Sequence, residues 1–230
     1  MPRSEVYNCD CLEYMKGLPD KYFSLAIADP PYGDAGQGLS GMESRKKGVA
    51  RTGGTWASKY EKKISSWDVA PNQEFFDELR RVSNAQIIWG ANYFPMPPTR
   101  CFIVWEKTNV PEKFTMAMCE YAWTSFNANA KVFKYSAIGD PKDPRFHPTQ
   151  KPIELYAWLL QNYAEGGVIF DPMLGSASSR IAAYKLGFDF VGCELDKEYF
   201  DKGVERFEKE CKGITRINDN TTIQQLQLFE

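Results

Sequence analysis

The sequence predicts an α/β protein built on a mostly parallel sheet, and three observations carry that reading. Residues 168–212 run strand, turn, helix, strand, helix, the pattern of a parallel sheet with crossover helices. Two acids followed by proline, Asp29 and Asp171, fall at expected strand carboxyl ends, where ligands of such sheets bind. The chain has 230 residues, 43% of them apolar and 25% charged, enough to bury one large core.

The elements follow in order. Residues 5–10 read as a short strand and 12–18 as a helix stopped near Pro19. The apolar run 24–28 is a strand that halts at Asp29-Pro30-Pro31-Tyr32, since two prolines can neither continue a ladder nor enter a helix interior. Phe75, Phe76, Leu79 and Val82 recur at helical spacing, which predicts a helix over 73–82. Strands are expected at 86–89, 101–105 and 119–123, and residues 127–150 are expected to be irregular. A helix over 153–163 presents Leu155, Trp158, Leu159 and Tyr163 on or near one face. Then come a strand at 168–170, a helix at 178–186, a strand at 190–193 and a charged helix at 197–212. The domain is expected to span 1–217, with 218–230 an extended tail, and there is no internal repeat.

Net charge is −2, which argues against a protein that coats nucleic acid by bulk charge. The charge is unevenly spread. Residues 33–66 hold seven basic and three acidic side chains, a net of +4 that leaves −6 for the rest. They also hold seven of the 17 glycines, so this long aperiodic segment reads as a basic, functional loop. None of the six cysteines forms a Cys-x-x-Cys pair and the only histidine is His147, so no structural zinc site or other metal site is expected. The cysteines read as reduced, mostly core residues of a cytoplasmic protein. No apolar stretch is long enough to span a bilayer, and no membrane partner is expected.

Two segments carry chemistry. In Asp29-Pro30-Pro31-Tyr32, the carboxylate and a proline-fixed carbonyl can both accept from a planar amino group while the ring stacks on its heterocycle. The string His147-Pro148-Thr149-Gln150-Lys151-Pro152 leads into a helix; at about 5% per residue type it arises by chance roughly once in 10⁸ positions. Sixteen residues on begins Val168-Ile169-Phe170-Asp171-Pro172-Met173-Leu174-Gly175-Ser176-Ala177, which turns a strand into a helix through small residues, so a ligand can approach backbone and helix N-terminus. Glu194 ends the next strand, the place of a ribose-binding acid in Rossmann-like folds.

Together these residues resemble the beta class of S-adenosylmethionine-dependent DNA amino-methyltransferases, in which the Asp-Pro-Pro-Tyr motif precedes the cofactor motif. The resemblance covers nearly the whole chain. It implies a Rossmann-like, doubly wound sheet with one antiparallel strand and a circularly permuted motif order. It implies that Asp29, Pro30, Pro31 and Tyr32 are catalytic and that Tyr32 stacks on a flipped base. It gives Thr149 and Lys151 to the cofactor carboxylate, with His147 and Gln150 beside them. Asp171 and Gly175 go to its methionyl part, Glu194 to its ribose, and Asp10 and Cys11 to its adenine, with Met173 and Ser176 also expected to bind the cofactor. The family usually has phenylalanine where Met173 stands and glycine where Ala177 stands.

The implied reaction is methylation of adenine N6 in double-stranded DNA, as in restriction–modification enzymes. Asp-Pro-Pro-Tyr is more typical of adenine enzymes, and cytosine N4 is the close alternative. A catalytically silent binding module is a further one, and a nicotinamide dehydrogenase is disfavoured by the missing Gly-x-Gly-x-x-Gly turn. For DNA contact the residues expected are Arg45, Lys46, Lys47 and Arg51 in the basic loop. Lys131 and Lys134 are expected from a short target-recognition segment, 127–146. Gln225-Leu226-Gln227-Leu228-Phe229 resembles the bacterial sliding-clamp peptide. Homodimers are common in the class.

Overall fold

The computed structural model of the chain describes residues 1–33, 69–113, 117–137, 145–218 and 221–224. The elements are β1 (Ser4–Tyr7), α1 (Cys11–Lys16), β2 (Phe23–Ala28), α2 (Gln73–Val82), β3 (Ser83–Trp89), β4 (Phe102–Lys107), β5 (Cys119–Thr124) and β6 (Lys131–Tyr135). They continue with α3 (Ile153–Tyr163), β7 (Val168–Asp171), α4 (Ser178–Lys185), β8 (Asp189–Cys193), α5 (Lys197–Lys212), β9 (Ile214–Asn218) and β10 (Thr221–Gln224).

An eight-stranded sheet runs in the order β1-β8-β7-β2-β3-β5-β4-β6. Every pairing is parallel except those of β5, which runs against β3 and β4. This is the mostly parallel sheet with one antiparallel strand that the sequence predicts. Alternate side chains of each central strand enter cores on opposite faces. Leu25, Ile27, Ile87, Trp89, Ile169 and Phe190 pack on one side with Leu155 and Leu159 of α3 and Ala182 of α4. Phe23, Ala26, Ile88, Phe170 and Val191 pack on the other with Met15 of α1 and Phe75, Phe76 and Leu79 of α2. A strand buried on both faces reads as a continuous apolar run, which is why β2 is so apolar.

Local chemistry fixes the helix starts. The Asp10 carboxylate accepts from the Leu12 and Glu13 amides, Asn72 from the Phe75 amide, and Asp196 from the Glu198 and Tyr199 amides. Gly213 ends α5 in the left-handed conformation, φ +64°. Strand β7 follows β2 by more than a hundred residues of chain yet lies directly beside it, with Leu25 opposite Ile169. From β7 the chain proceeds to β8 on one side, and from β2 to β3 on the other, so their carboxyl ends form the switch point of the fold.

Three expectations need correcting. Residues 131–135 form β6, a parallel partner of β4, instead of irregular chain. Its pattern is mostly exposed, as suits an edge strand with one covered neighbour. Residues 221–224 form β10, which folds back antiparallel on β9, so the tail is not extended from residue 218. All six cysteines are free, but only Cys101 and Cys193 are buried and Cys119 is exposed. Residues 34–66 of the basic loop, with Arg45, Lys46, Lys47 and Arg51, and the clamp-like Gln225–Phe229 lie outside the described residues. Among the described residues no helix is long and apolar enough to cross a membrane, and no side-chain cluster could hold a metal ion.

Candidate active site

A cavity of about 700 Å³ opens at the switch point. The 29–32 corner, the 147–152 loop, the 172–176 turn and Glu194 all line it, as do Asp10 and Cys11. Of the residues assigned to catalysis and cofactor from sequence, only Asp171 is not on its wall.

The corner is set by β2 and β3. Asp29 follows the last residue of β2 and Gly90 the last of β3. Gly90 sits at φ +63°, and a Cβ there would lie 1.9 Å from Cε1 of Tyr32, so glycine is required for both backbone and space. Tyr32 stacks on Tyr93 with centroids 4.7 Å apart, and its hydroxyl donates to Asp29 Oδ1 over 3.4 Å.

Lys151 closes onto this corner from the loop before α3. Its ammonium donates to Asp29 Oδ2 and lies 3.2 Å from Glu120 Oε2, and it is only 4% exposed. Glu120, on β5, is in turn ion-paired through Oε1 with Lys107 of β4 at 2.7 Å. Two partly buried carboxylates and two buried ammonium groups thus alternate along one line. Burial disfavours the charge on Asp29, Glu120 and Lys151, yet the neighbours decide two of the three outcomes. Glu120 is pulled down to about 2 by Lys151 and Lys107 against its burial. Lys151 is raised above its ordinary value by Asp29 and Glu120 against the same penalty. For Asp29 burial wins over the attraction of Lys151, and its carboxyl titrates above the usual range.

The 147–152 loop is held by its own residues. Arg145 donates to the carbonyls of Ala137 and Gln150 at 2.9 Å each, and the Gln150 amide donates to the His147 carbonyl. The Thr149 amide donates to Nδ1 of His147, whose ring meets Tyr199 edge-on at 4.3 Å. Burial, with Lys151 and Arg145 nearby, holds His147 down at about 3, so it is neutral at physiological pH. The Ser178 hydroxyl donates to the Lys151 carbonyl and ties this loop to α4.

The 171–178 turn is pinned on every side. Asp171 accepts from the Met173 amide and the Ser179 hydroxyl, and burial raises it to about 7. The Gly175 amide donates to Glu194 Oε2 at 2.7 Å, and the Asp196 amide to Glu194 Oε1. Arg206 of α5 donates to the Ser176 carbonyl and to the Ser178 hydroxyl. Ala177, at φ +61°, adopts the left-handed conformation that explains the glycine expected there from the family pattern. Cys11 is raised to about 12 by burial and behaves as a small apolar wall residue.

The remaining assignments fall elsewhere. Lys131 and Lys134 stand on edge strand β6, away from the cavity, where Lys131 donates to Asn162 and Lys134 pairs with Glu106. The sequence marks Tyr93 and Lys107 only as parts of strand-end segments similar to the family's, and it gives no role to them, to Glu120 or to Arg206. One signal was available: Glu120 is a lone acid inside an otherwise apolar strand.

A carboxylate–proline–proline–tyrosine corner and a small-residue turn facing one cavity at the switch point define a Rossmann-like enzyme class. Comparison with known proteins narrows it. A family model for the N6 and N4 enzymes, described as DNA methylase, matches residues 99–205, which hold Glu120, the 147–152 loop and Gly175. The type II methyltransferase M2.MboI of Moraxella bovis is 24% identical, the alignment covering 96% of this chain and 92% of the relative. A candidate DNA modification methylase of Thermus thermophilus, solved with S-adenosyl-L-methionine, superposes with a TM-score of 0.55. The identity is 18%, over 91% of this chain and 95% of that one. The cytosine-N4-specific PvuII DNA methyltransferase superposes at 0.59, with 12% identity over 96% and 89% of the two chains. Over residues 99–205 the chain resembles the N6/N4 DNA methylases, and its fold is that of the superposed methyltransferases.

Proposed function

We propose that the chain transfers a methyl group from S-adenosylmethionine to the N6 amino group of adenine in double-stranded DNA. One observation carries the reading: in Asp29, which lines the cavity, Lys151 occupies Oδ2 while Oδ1 accepts only the long 3.4 Å hydrogen bond from Tyr32. That oxygen can accept one hydrogen of a planar amino group.

The residues present fit the donor. The cavity is large enough for a nucleoside and a base together. Glu194 offers its carboxylate for ribose hydroxyls, Gly175 and Ser176 offer backbone, and Asp10, Cys11 and Met173 would flank the adenine and methionyl ends. Thr149 remains for the donor's carboxylate, whereas the Lys151 ammonium is engaged by Asp29 and Glu120. When bound, the donor supplies an electrophilic methyl group. The chain's own residues orient and deprotonate the acceptor. Asp29 Oδ1 and the Pro30 carbonyl hold the amino hydrogens, so the nitrogen lone pair is freed from the ring and aimed. The nitrogen must shed one proton on gaining a methyl group, and Asp29 is the base beside it. Tyr32, backed by Tyr93, stacks on the heterocycle. The acid at the first motif position favours adenine over cytosine. The basic segment 33–66 supplies phosphate contacts in this reading, on its charge of +4.

The test is incubation of purified chain with labelled S-adenosylmethionine and unmethylated DNA, followed by nucleoside analysis. Label in N6-methyladenine supports the proposal, label in N4-methylcytosine replaces adenine by cytosine, and no transfer overturns it.

A further inference from the structure

Glu120 is not explained by any role given so far. It is carried by the antiparallel strand β5, opposite Trp105 in the register with β4, and this register brings a carboxylate to the mouth of the active site. Its Oε1 is ion-paired with Lys107 at 2.7 Å and its Oε2 faces Lys151 at 3.2 Å. Among the described residues no hydrogen bond of good geometry reaches Oε2, so its compensation is ionic. A buried carboxylate is costly unless paired, and leaving one side of such a pair empty is costlier still. Lys107 is itself 8% exposed and lies 5.2 Å from the centre of the Trp105 ring, so it is a fixed anchor and not a surface lysine.

We propose that Glu120, anchored by Lys107, is a positioning residue: it fixes the Lys151 ammonium on Asp29 Oδ2 and so leaves Oδ1 as the acceptor for the target amino group. This rests on the methyl-transfer reading above. Without Glu120, the Lys151 ammonium keeps Asp29 as its one ionic partner, with the Trp89 ring 5.5 Å away as a non-directional contact, and is free to slide across both oxygens of Asp29. Asp29 then competes for its own ammonium partner at the atom that should take the substrate. The charged and titratable groups facing Asp29 are Lys151 from the loop before α3, Glu120 from β5, Tyr32 from its own segment, Tyr156 of α3 and Asp171 of β7. Of these, Glu120 raises the Asp29 carboxyl by like-charge repulsion, and removing it lowers that value.

The experiment compares wild type, Glu120→Gln and Glu120→Asp in the full chain. Three quantities are read: kcat for methyl transfer to unmethylated DNA, Kd for S-adenosylmethionine, and the Asp29 titration by ¹³C-carboxyl NMR, assigned by its loss in Asp29→Asn. For Glu120→Gln the expected results are a kcat lower by about tenfold or more, the scale of one misplaced charge-assisted hydrogen bond. Donor Kd stays within about twofold, and the Asp29 midpoint moves to lower pH. Glu120→Asp recovers part of kcat. Unchanged kcat with an unmoved Asp29 midpoint overturns the proposal. If Glu120→Gln does not fold, Lys107→Met is read in the same way, and wild-type kcat there also overturns it. Absence of transfer by wild type instead refutes the methyl-transfer reading, while the NMR shift still reports on the Glu120–Asp29 coupling.

Discussion

Lys151 and Asp29 are 122 residues apart in the chain, yet the ammonium of one rests on the carboxylate of the other at the end of β2. This contact joins the two halves of the site. Its removal by Lys151→Met leaves a buried carboxylate without its cation. Lys151 lowers the Asp29 carboxyl, so its loss raises it further, and less of Asp29 is ionised at any acidic pH. The acid limb of the rate profile therefore moves to higher pH. Transfer falls by about 10²-fold, comparable to loss of one oriented polar group in an active site. Stability falls by about 3–5 kcal/mol, the usual cost of breaking a buried pair. A pH–rate profile with a thermal melt checks both.

Gly90→Ala attacks the corner from the other side. The new methyl group needs the space of Tyr32 Cε1 and forces a side chain into φ +63°. The strain costs about 1–2 kcal/mol, and Tyr32 moves off its stacking position. Gly90 does not line the cavity, so donor affinity is retained while kcat falls. Isothermal titration alongside initial rates separates the two. Equal losses in both would show that Tyr32 also shapes the donor site.

Asp171 makes a pH-dependent contribution of known sign. Burial raises it from 3.8 to about 7, so between those values the folded chain holds a proton that the unfolded chain has lost. Stability therefore falls as pH rises through that window, by about 4 kcal/mol in all if the whole shift is expressed. Asn in its place can still accept from the Met173 amide and donate to Ser179. Denaturant melts at about pH 5 and about pH 8 should show a decline in wild type that is smaller in Asp171→Asn. Parallel declines would mean that Asp171 is ionised throughout.

The basic loop is tested by salt. If Lys46 and Lys47 bind phosphates, Lys46→Ala/Lys47→Ala reduces the slope of log affinity against log salt by about 0.9 for each phosphate no longer neutralised. Fluorescence anisotropy over a salt series measures it. An unchanged slope removes these two lysines from the DNA interface.

Much of the fold was legible because its signals are local. Helices α2, α3 and α5 begin and end where periodicity places them, and β2 and β7 stop at their Asp-Pro steps. Edge strand β6 is hard to read because Lys131-Val132-Phe133-Lys134-Tyr135 has only five residues, and its strand formers Val132, Phe133 and Tyr135 are interrupted by Lys134 and mark no single clear face. The corner, the 147–152 loop and the 172–176 turn were legible as motifs. Their wiring was not. Glu120 reaches Lys151 only through the pairing of β5 between β3 and β4, a register that no local pattern records. For the same reason the contact of Lys151 with Asp29 has no local signature, although Lys151 also lines the cavity where the donor is expected.

The central claim is that Asp29 presents an oxygen to an amino group of adenine in DNA. Expression of wild type and Asp29→Ala in a methylation-free host, with single-molecule sequencing of the host DNA, tests it most directly. The account predicts N6-methyladenine in one sequence context with wild type and none with Asp29→Ala. An adenine mark that persists in Asp29→Ala, or a wild-type mark found only on cytosine, would contradict it.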